Sequence, residues 1–409
     1  MSLEIIAAVI FFVTYAGIAL GSIPGLAIDR TGIAVLGAIA MLATGTLSEN
    51  EAWKAIDAPT ILLLYSLMVL SAQFTLGGFY TKVALSIVRF VTRPGVFLFA
   101  LILSSALLSA VVANDIVCLA FTPVICVSVI RASLNPIPFV LALSCSSNIG
   151  SAATIMGNPQ NMLIGQVGGL HFREFVLWCL PPTIISLVVL YFIILIMYRG
   201  KWRDGSIVLG ENAEGWPRYD SHQSGKALVL TTGLIVLFFT SIPREVSALT
   251  VAGIILCSRK MTTRSILGLV DWHLITLFCA LFIVVQGVVK YGIPQSGVQL
   301  LGTLGYDINH PFVLSSVTLV LSNLVSNVPA VMLLLKNIDL EHTKNLYLLA
   351  LVSTYAGNLF IIGSIANLIM IEQARIYDIS VSFWSHARVG IPVTVASILV
   401  ALGWAFLVG

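Results

Sequence analysis

Asp115 is the only charged residue between Gly95 and Ile130, and Asn114 stands directly before it. A carboxylate at the centre of a bilayer costs roughly 2.5–3.5 kcal/mol even on lenient scales, and acids kept there mark ion or proton paths. Asp115 is therefore assigned the coupling role, taking up and releasing a proton or holding sodium. Capping of the following helix is the plain alternative. Four apolar segments carry residues that helices in lipid disfavour. They are Ala113-Asn114-Asp115; Ser326-Asn327-Val328-Pro329; the run from Ser146-Ser147-Asn148 through Ser151, Thr154 and Gly157-Asn158-Pro159-Gln160-Asn161; and the run from Gly357-Asn358 to Gly363-Ser364-Ile365-Ala366-Asn367. Pro159 lacks a helical N–H, and glycine tolerates unwound backbone. Non-helical backbone survives at membrane depth only where protein or a polar cavity satisfies it. The candidate substrate-binding residues are accordingly Asn114, Asn148, Thr154, Asn158, Asn161, Asn327, Asn358, Ser364 and Asn367. Structural duties compete with this reading: tip asparagines can satisfy local backbone, the other asparagines can glue helices together, and Thr154, Ser151 and Ser364 can be packing residues.

The elements that must position these groups are long and apolar. Hydrophobic residues make up 58% of the 409-residue chain and charged residues 10%, whereas soluble domains carry about 25% charged residues. This composition predicts an all-α integral membrane protein rather than a barrel of short alternating strands. Apolar segments at about 3–21, 28–45, 58–78, 137–167 and 174–198 precede a polar linker at 199–225, which carries Trp202, Gly205, Gly210, Gly215 and Pro217. Segments at about 226–241, 246–258, 271–290, 346–374 and 387–408 follow it. Each half thus holds five crossings. Residues 95–130 are too long for one span and read as a hairpin that enters and leaves by one face. Met1-Ser2-Leu3-Glu4 leads into an apolar run without a basic stretch, so a removable signal peptide is not expected.

The halves, 1–198 and 226–409, echo each other at an offset of about 206–219 residues, the internal symmetry that marks many transporters. Ser22-Ile23-Pro24 matches Ser241-Ile242-Pro243, and Ile56-Asp57 matches Val270-Asp271. Leu108-Ser109 with Val112-Ala113-Asn114 matches Leu321-Ser322 with Val325-Ser326-Asn327. Gly157 and Asn161 match Gly363 and Asn367; Phe172 and Pro181 match Phe383 and Pro392. An odd number of crossings inverts the second repeat. Symmetry also makes 311–338, long enough for only one crossing when read alone, a second re-entrant hairpin before the broken helix at 346–374. With both termini outside, all of the 21 lysines and arginines except Lys54, Arg173, Arg244, Lys290, Lys336 and Lys344 fall on the cytoplasmic side, as the positive-inside rule asks. The expected address is the inner, cytoplasmic membrane.

A net charge of +3, scattered rather than striped, offers nothing to nucleic acid. Cys118, Cys126, Cys145, Cys179, Cys257 and Cys279 lack paired spacing, so they are expected to be small buried thiols, with no disulfide frame or metal site. Cys118, three residues beyond Asp115, is a subsidiary candidate for thiol contact with a solute. His273, beside Trp272, reads as interfacial. No phosphate loop, zinc-protease helix or nucleophile elbow occurs, so neither an enzyme nor a cofactor is expected. Ion gradients, or a separate ATPase subunit, must supply the work.

On the two hairpins and two broken helices the chain resembles the Ion Transporter superfamily, which includes arsenite permeases, sodium/dicarboxylate symporters and a branch of sodium/proton antiporters. The resemblance covers essentially the whole chain and implies inverted repeats with a site at the hairpin tips. Dicarboxylate members carry Ser-Asn-Thr at each tip. Ala113-Asn114-Asp115 and Ser326-Asn327-Val328 keep both asparagines but lose both threonines and one serine. Ala113-Asn114-Asp115 followed by Thr122-Pro123 is more similar to the arsenite-permease and antiporter branches, whereas Gly157-Asn158-Pro159-Gln160-Asn161 is closer to uncharacterised anion permeases. The reading is a secondary active transporter that exports arsenite or antimonite in exchange for protons. Sodium-coupled di- or tricarboxylate symport and sodium/proton antiport are the alternatives. The first two spans of each repeat are expected to form a scaffold and to offer a surface for a homodimer.

Overall fold

The computed structural model describes residues 2–21, 27–203 and 217–408. The first half runs α1 (Leu3–Leu20), α2 (Arg30–Ala43), α3 (Glu49–Ala55), α4 (Ala58–Leu76), α5 (Phe79–Val88), α6 (Pro94–Val111), α7 (Asn114–Arg131), α8 (Ile137–Ser151), α9 (Pro159–Val167) and α10 (Phe172–Met197). The second runs α11 (Ser221–Phe238), α12 (Arg244–Leu256), α13 (Thr263–Leu267), α14 (Trp272–Val289), α15 (Ile293–Thr303), α16 (Pro311–Val325), α17 (Asn327–Leu335), α18 (Thr343–Ala356), α19 (Ile365–Arg375) and α20 (Phe383–Val408). Among the described residues there is no strand, only an isolated bridge between Leu134 and Arg203. Among the described residues seven helices are long and apolar enough to cross a membrane, and the chain is a multi-pass membrane protein.

Local chemistry sets many boundaries. The Ser2 hydroxyl accepts from Ile5 N–H to open α1, and Gly21, at φ 81°, closes it in the left-handed conformation that glycine adopts without a side-chain clash. Ser48 and Glu51 form a reciprocal capping box on α3. Asp271 accepts from Leu274 N–H at 2.9 Å to start α14. The short α3, α5, α13 and α15 were not marked by the apolar runs, because they are brief or amphipathic connectors between spans. The Ser22-Ile23-Pro24 half of one repeat match, and Gly205, Gly210 and Gly215 of the linker, lie outside the described residues.

The centre of the molecule is built from the first arms of the two broken helices. In α8 every residue from Pro138 to Ser151 is buried, and in α18 every residue from Asn345 to Ala356. A helix surrounded on all sides by protein can carry serines and asparagines only if neighbouring helices pair with them. Those neighbours recur in both halves: α6 lies on α8 as α16 lies on α18, and α10 lies on α8 as α20 lies on α18. The second hairpin arms cross over, α7 packing on α19 and α17 on α9. The two repeats are thereby interlocked.

Both hairpins turn back. Val88 and Val91, before α6, line one pocket with Ser128 and Arg131 at the end of α7. His310 and Pro311, at the start of α16, share another with Asp339 and Glu341 beyond α17, where Asp339 N–H donates to Asn309 Oδ1 at 2.9 Å. Helix α4 connects the two faces. Its start, Asp57, lies beside Lys336 of α17, and its end feeds α5, which packs on α7. The bases of the hairpins therefore open on opposite faces. Each arm of the first hairpin has 18 residues, about 27 Å at 1.5 Å per residue. The arms of the second have 15 and 9.

Two expectations are corrected. Cys257 is exposed and Cys279 half-buried, because Cys257 is the C-terminal cap of α12 and sits at the end of a span rather than within the packed centre. Asp115 does not cap α7: the cap position is Ala113, and no side chain bonds the first turn.

Candidate functional site

The amide groups singled out in the sequence converge on the breaks in α8–α9 and α18–α19. Asn148 sits at the junction. Its Oδ1 accepts from Asn114 Nδ2 at 2.9 Å and from Ser364 Oγ at 3.0 Å, and its Nδ2 donates to Asn358 Oδ1 at 2.8 Å and Asn367 Oδ1 at 3.2 Å. One side chain thus ties the first hairpin tip and its own helix to the second broken helix. Ser147 Oγ donates to the Asn114 carbonyl at 2.9 Å, and Asn114 N–H reaches the Gly157 carbonyl at 3.4 Å. Thr154 Oγ1 donates to the Ala110 carbonyl at 2.5 Å. The first tip is therefore held at the level of the first break.

Two matching triads bridge the breaks. Asn161 Nδ2 donates to the carbonyls of Ser151 and Thr154, ten and seven residues earlier. Asn367 Nδ2 donates to those of Gly357 and Phe360, again ten and seven residues earlier. Asn158 caps α9 by accepting from Asn161 N–H, as Ser364 caps α19 by accepting from Ala366 N–H. The third member comes from the opposite repeat. Thr354 Oγ1 accepts from Asn158 Nδ2 at 3.2 Å and Gln160 Nε2 at 3.3 Å, donates to the Ala350 carbonyl at 2.8 Å, and lies 3.5 Å from Asn161 Oδ1. Asn148 stands in the equivalent place for Asn367 and Ser364. Ser144 also donates to Asn367 Oδ1.

This pattern separates saturated groups from free ones. Asn148 and Asn367 each have both N–H groups and both oxygen lone pairs engaged by protein, leaving no hydrogen-bonding capacity for a solute in this conformation. Asn161 is nearly as complete. Free capacity lies elsewhere. Asp115 is half-buried, and its carboxylate has no hydrogen-bond or ion-pair partner among the described residues. Asn327, 9% exposed, has an unpartnered Oδ1, as does Asn323. Asn358 donates only a long bond, 3.5 Å, to the Cys145 carbonyl. Among the described residues, no lysine or arginine donates to the amides of the network.

Sequence reasoning missed Ser144 and Thr354, and it singled out Ser147 and Gln160 only as parts of a break. Thr354 was within reach, since it follows Asn148 at the same offset that relates Asn161 to Asn367. Ser144 lies one helical turn before Asn148 and so shares its face. His386 was also missed: it is fully buried in α20 and bonds the Asn358 carbonyl through Nε2 at 3.0 Å.

Comparison with known proteins places this architecture. Residues 9–356 match the model of the CitMHS family, described as citrate transporter. The chain belongs to that family. Membership agrees with the resemblance to the Ion Transporter superfamily and makes the chain a membrane transporter by family. The silicon efflux transporter LSI3 of Oryza sativa subsp. japonica is 29% identical over 93% of this chain and 93% of its own. The putative transporter arsB of Dictyostelium discoideum is 25% identical over 94% of this chain and 88% of its own. Among solved structures, the YdaH transporter of Alcanivorax borkumensis, described as having an unusual topology, is similar over 99% of this chain and 96% of its own, with a TM-score of 0.58 at 13% identity. That similarity concerns the fold alone.

Proposed function

We propose that this family member exports arsenite or antimonite across the cytoplasmic membrane in exchange for protons, with Asp115 as the proton carrier. The observation that carries the reading is the lone Asp115 carboxylate, unpartnered at a hairpin tip that is otherwise built of neutral amides and hydroxyls. Arsenite is an uncharged trihydroxide at neutral pH and needs hydrogen-bonding groups rather than an arginine. The names of two relatives, a silicon efflux transporter and a putative transporter arsB, support a reading of metalloid export. Asn114, Asn327 and Asn358 contact the solute, while Asn148, Thr154, Asn158, Asn161, Ser364 and Asn367 hold the broken helices that present them.

In this scheme Asp115 gains its proton from outside and loses it inside as the hairpins and broken helices shift against the remaining spans. A potential of 100 mV supplies roughly 2.3 kcal/mol per charge, and one pH unit about 1.4 kcal/mol. One proton then sustains a gradient on the order of several hundredfold. Both termini lie outside, the first two spans of each repeat serve as the scaffold and as the contact of a homodimer, and the gradient makes an ATPase subunit dispensable.

The second reading, sodium-coupled citrate or dicarboxylate symport, is favoured by the family description. Asp115 and the tip carbonyls would then hold sodium. Everted vesicles decide between them. Arsenite accumulation driven by a pH gradient alone supports the first reading, sodium-dependent citrate flux overturns it, and sodium/proton exchange without either solute points to an antiporter. Asp115→Asn is expected to reach the membrane folded and to lose coupled flux at least a hundredfold. Flux equal to the wild type would remove the proton role.

A further inference from the structure

A cavity of about 350 Å³ lies between the α3–α4 turn, α9, α14 and α17, within the range of small-molecule sites. Its wall is apolar, formed by Leu163 and Val167 of α9, Phe282 and Val285 of α14, and Met332 and Leu335 of α17. Leu163, Val285, Met332 and Leu335 are each no more than 4% exposed. The mouth differs in character. Lys54 and Lys336 stand there exposed, and neither has a hydrogen-bond or ion-pair partner among the described residues. The remaining charge, Asp57, accepts a hydrogen bond from the Thr60 hydroxyl. Two ammonium groups against one carboxylate leave one positive charge unmatched, beside the Gln286 amide.

We propose that this cavity is a second binding site, for a small organic monoanion with an apolar body, such as an arylalkyl carboxylate. The wall does not replace the hydration shell of a strongly hydrated inorganic anion. An uncharged apolar molecule leaves the lysines without a partner. A compound with both parts satisfies wall and mouth together: its body covers the buried side chains, and its head receives charge-assisted hydrogen bonds from Lys54 and Lys336. The occupant touches helices from both repeats, so binding stabilises the conformation in which α9 and α17 approach α4 and α14. The site shares no residue with the amide network and does not depend on which solute the transporter moves.

The test is calorimetric titration of the purified, full-length protein in zwitterionic lipid nanodiscs, with empty discs as the blank. The probe is 4-phenylbutyrate, compared with 4-phenylbutanol, which lacks the charge, and acetate, which lacks the body. Wild type is expected to bind the probe saturably with one site per chain, and both comparison compounds at least tenfold more weakly. The Lys54→Gln, Lys336→Gln double variant, altered only at exposed positions, is expected to weaken binding at least tenfold. Val167→Trp, which fills the cavity, is expected to abolish it, with the unfolding midpoint in the absence of probe confirming that each variant is folded. Absence of saturable binding to the wild type, equal binding of the alcohol, or unchanged binding in both variants would overturn the proposal. Repeating the titration in discs containing phosphatidylglycerol separates the two sources of such a head group. Loss of probe binding there supports the site with a lipid phosphate as its occupant, and retained binding supports it with a soluble anion.

Discussion

Asn161 and Asn367 show how a single side chain makes a broken helix tolerable in a dry environment. Each spans its break with two N–H groups that donate to carbonyls at the break, of which the Phe360 carbonyl also accepts from Gly363 N–H at 3.0 Å. Replacement by alanine leaves two acceptors unpaired at the first break and one, the Gly357 carbonyl, at the second, at roughly 1–3 kcal/mol for each. Asn161→Ala and Asn367→Ala are therefore each expected to lower the thermal unfolding midpoint by several degrees or more in detergent-solubilised protein. A loss confined to one of them would contradict the equivalence of the two triads. The asparagines were visible in the sequence as polar interruptions of apolar runs. Their partners were not all visible, because Thr354 and Ser144 are ordinary residues until a neighbouring helix brings an amide to them.

The two hairpins, alike in pattern, are held differently. In the first, the hydroxyls of Ser105 and Ser109 meet those of Ser146 and Ser147 at 2.6 and 2.7 Å, fastening α6 to α8. In the second, Thr318 and Ser322 of α16 are buried with no hydrogen-bond partner. The tip residue Ser326 also has φ 75° and ψ 159°, a conformation that only glycine adopts freely and that costs other residues about 1–3 kcal/mol. Ser326→Gly is expected to raise the unfolding midpoint by a few degrees, as measured by scanning fluorimetry, if relief of that strain exceeds the added freedom of the unfolded chain. An unchanged or lower midpoint would place the compensation elsewhere. Length alone did not reveal this hairpin, since 311–338 suffices for one crossing. The repeat match to the first hairpin did, and the nine-residue α17 agrees with it.

Contacts between distant parts of the chain hold the halves together at one face. Arg244, at the start of α12, donates to the Gly165 carbonyl at 2.7 Å, the Leu170 carbonyl at 2.9 Å and Gln166 Oε1 at 3.1 Å, while Gln166 Nε2 reaches Glu245 at 3.0 Å. This tether fixes the end of α9. Removing it by Arg244→Gln is expected to speed amide hydrogen exchange across residues 165–170 at least tenfold, given the loss of charge-assisted bonds at roughly 1.5–3 kcal/mol each. Unchanged exchange would show that packing alone holds the segment. On the same face Lys290 of α14 meets Glu51 of α3 at 2.8 Å. Glu51 is held at about 2, below its usual 4.5, first by the hydrogen bond from Lys290 and then by the Ser48 backbone and hydroxyl. Because the folded value is the lower one, the stabilisation is complete above about 4.5 and is lost as pH falls towards about 2. Over that window the unfolding midpoint is expected to fall further in wild type than in Glu51→Gln. Parallel curves would remove the linkage.

Composition and periodicity were enough to establish a helical membrane protein with two related halves, since about 20 apolar residues in a row have few other uses. The apolar runs at 3–21, 58–78 and 271–290 became α1, α4 and α14 with ends shifted by only a few residues. The position of Asp115 and the breaks at Gly157 and Gly363 were legible for the same reason: apolar surroundings make a polar residue conspicuous. The division of labour among the asparagines was not legible. Whether an amide is saturated or free depends on which partners lie within hydrogen-bonding distance, and Asn148 meets Asn358, Ser364 and Asn367 across more than two hundred residues. The cavity carrying Lys54 and Lys336 likewise exists only where four separate elements meet. Such convergence is a property of packing, and no local pattern along the chain records it.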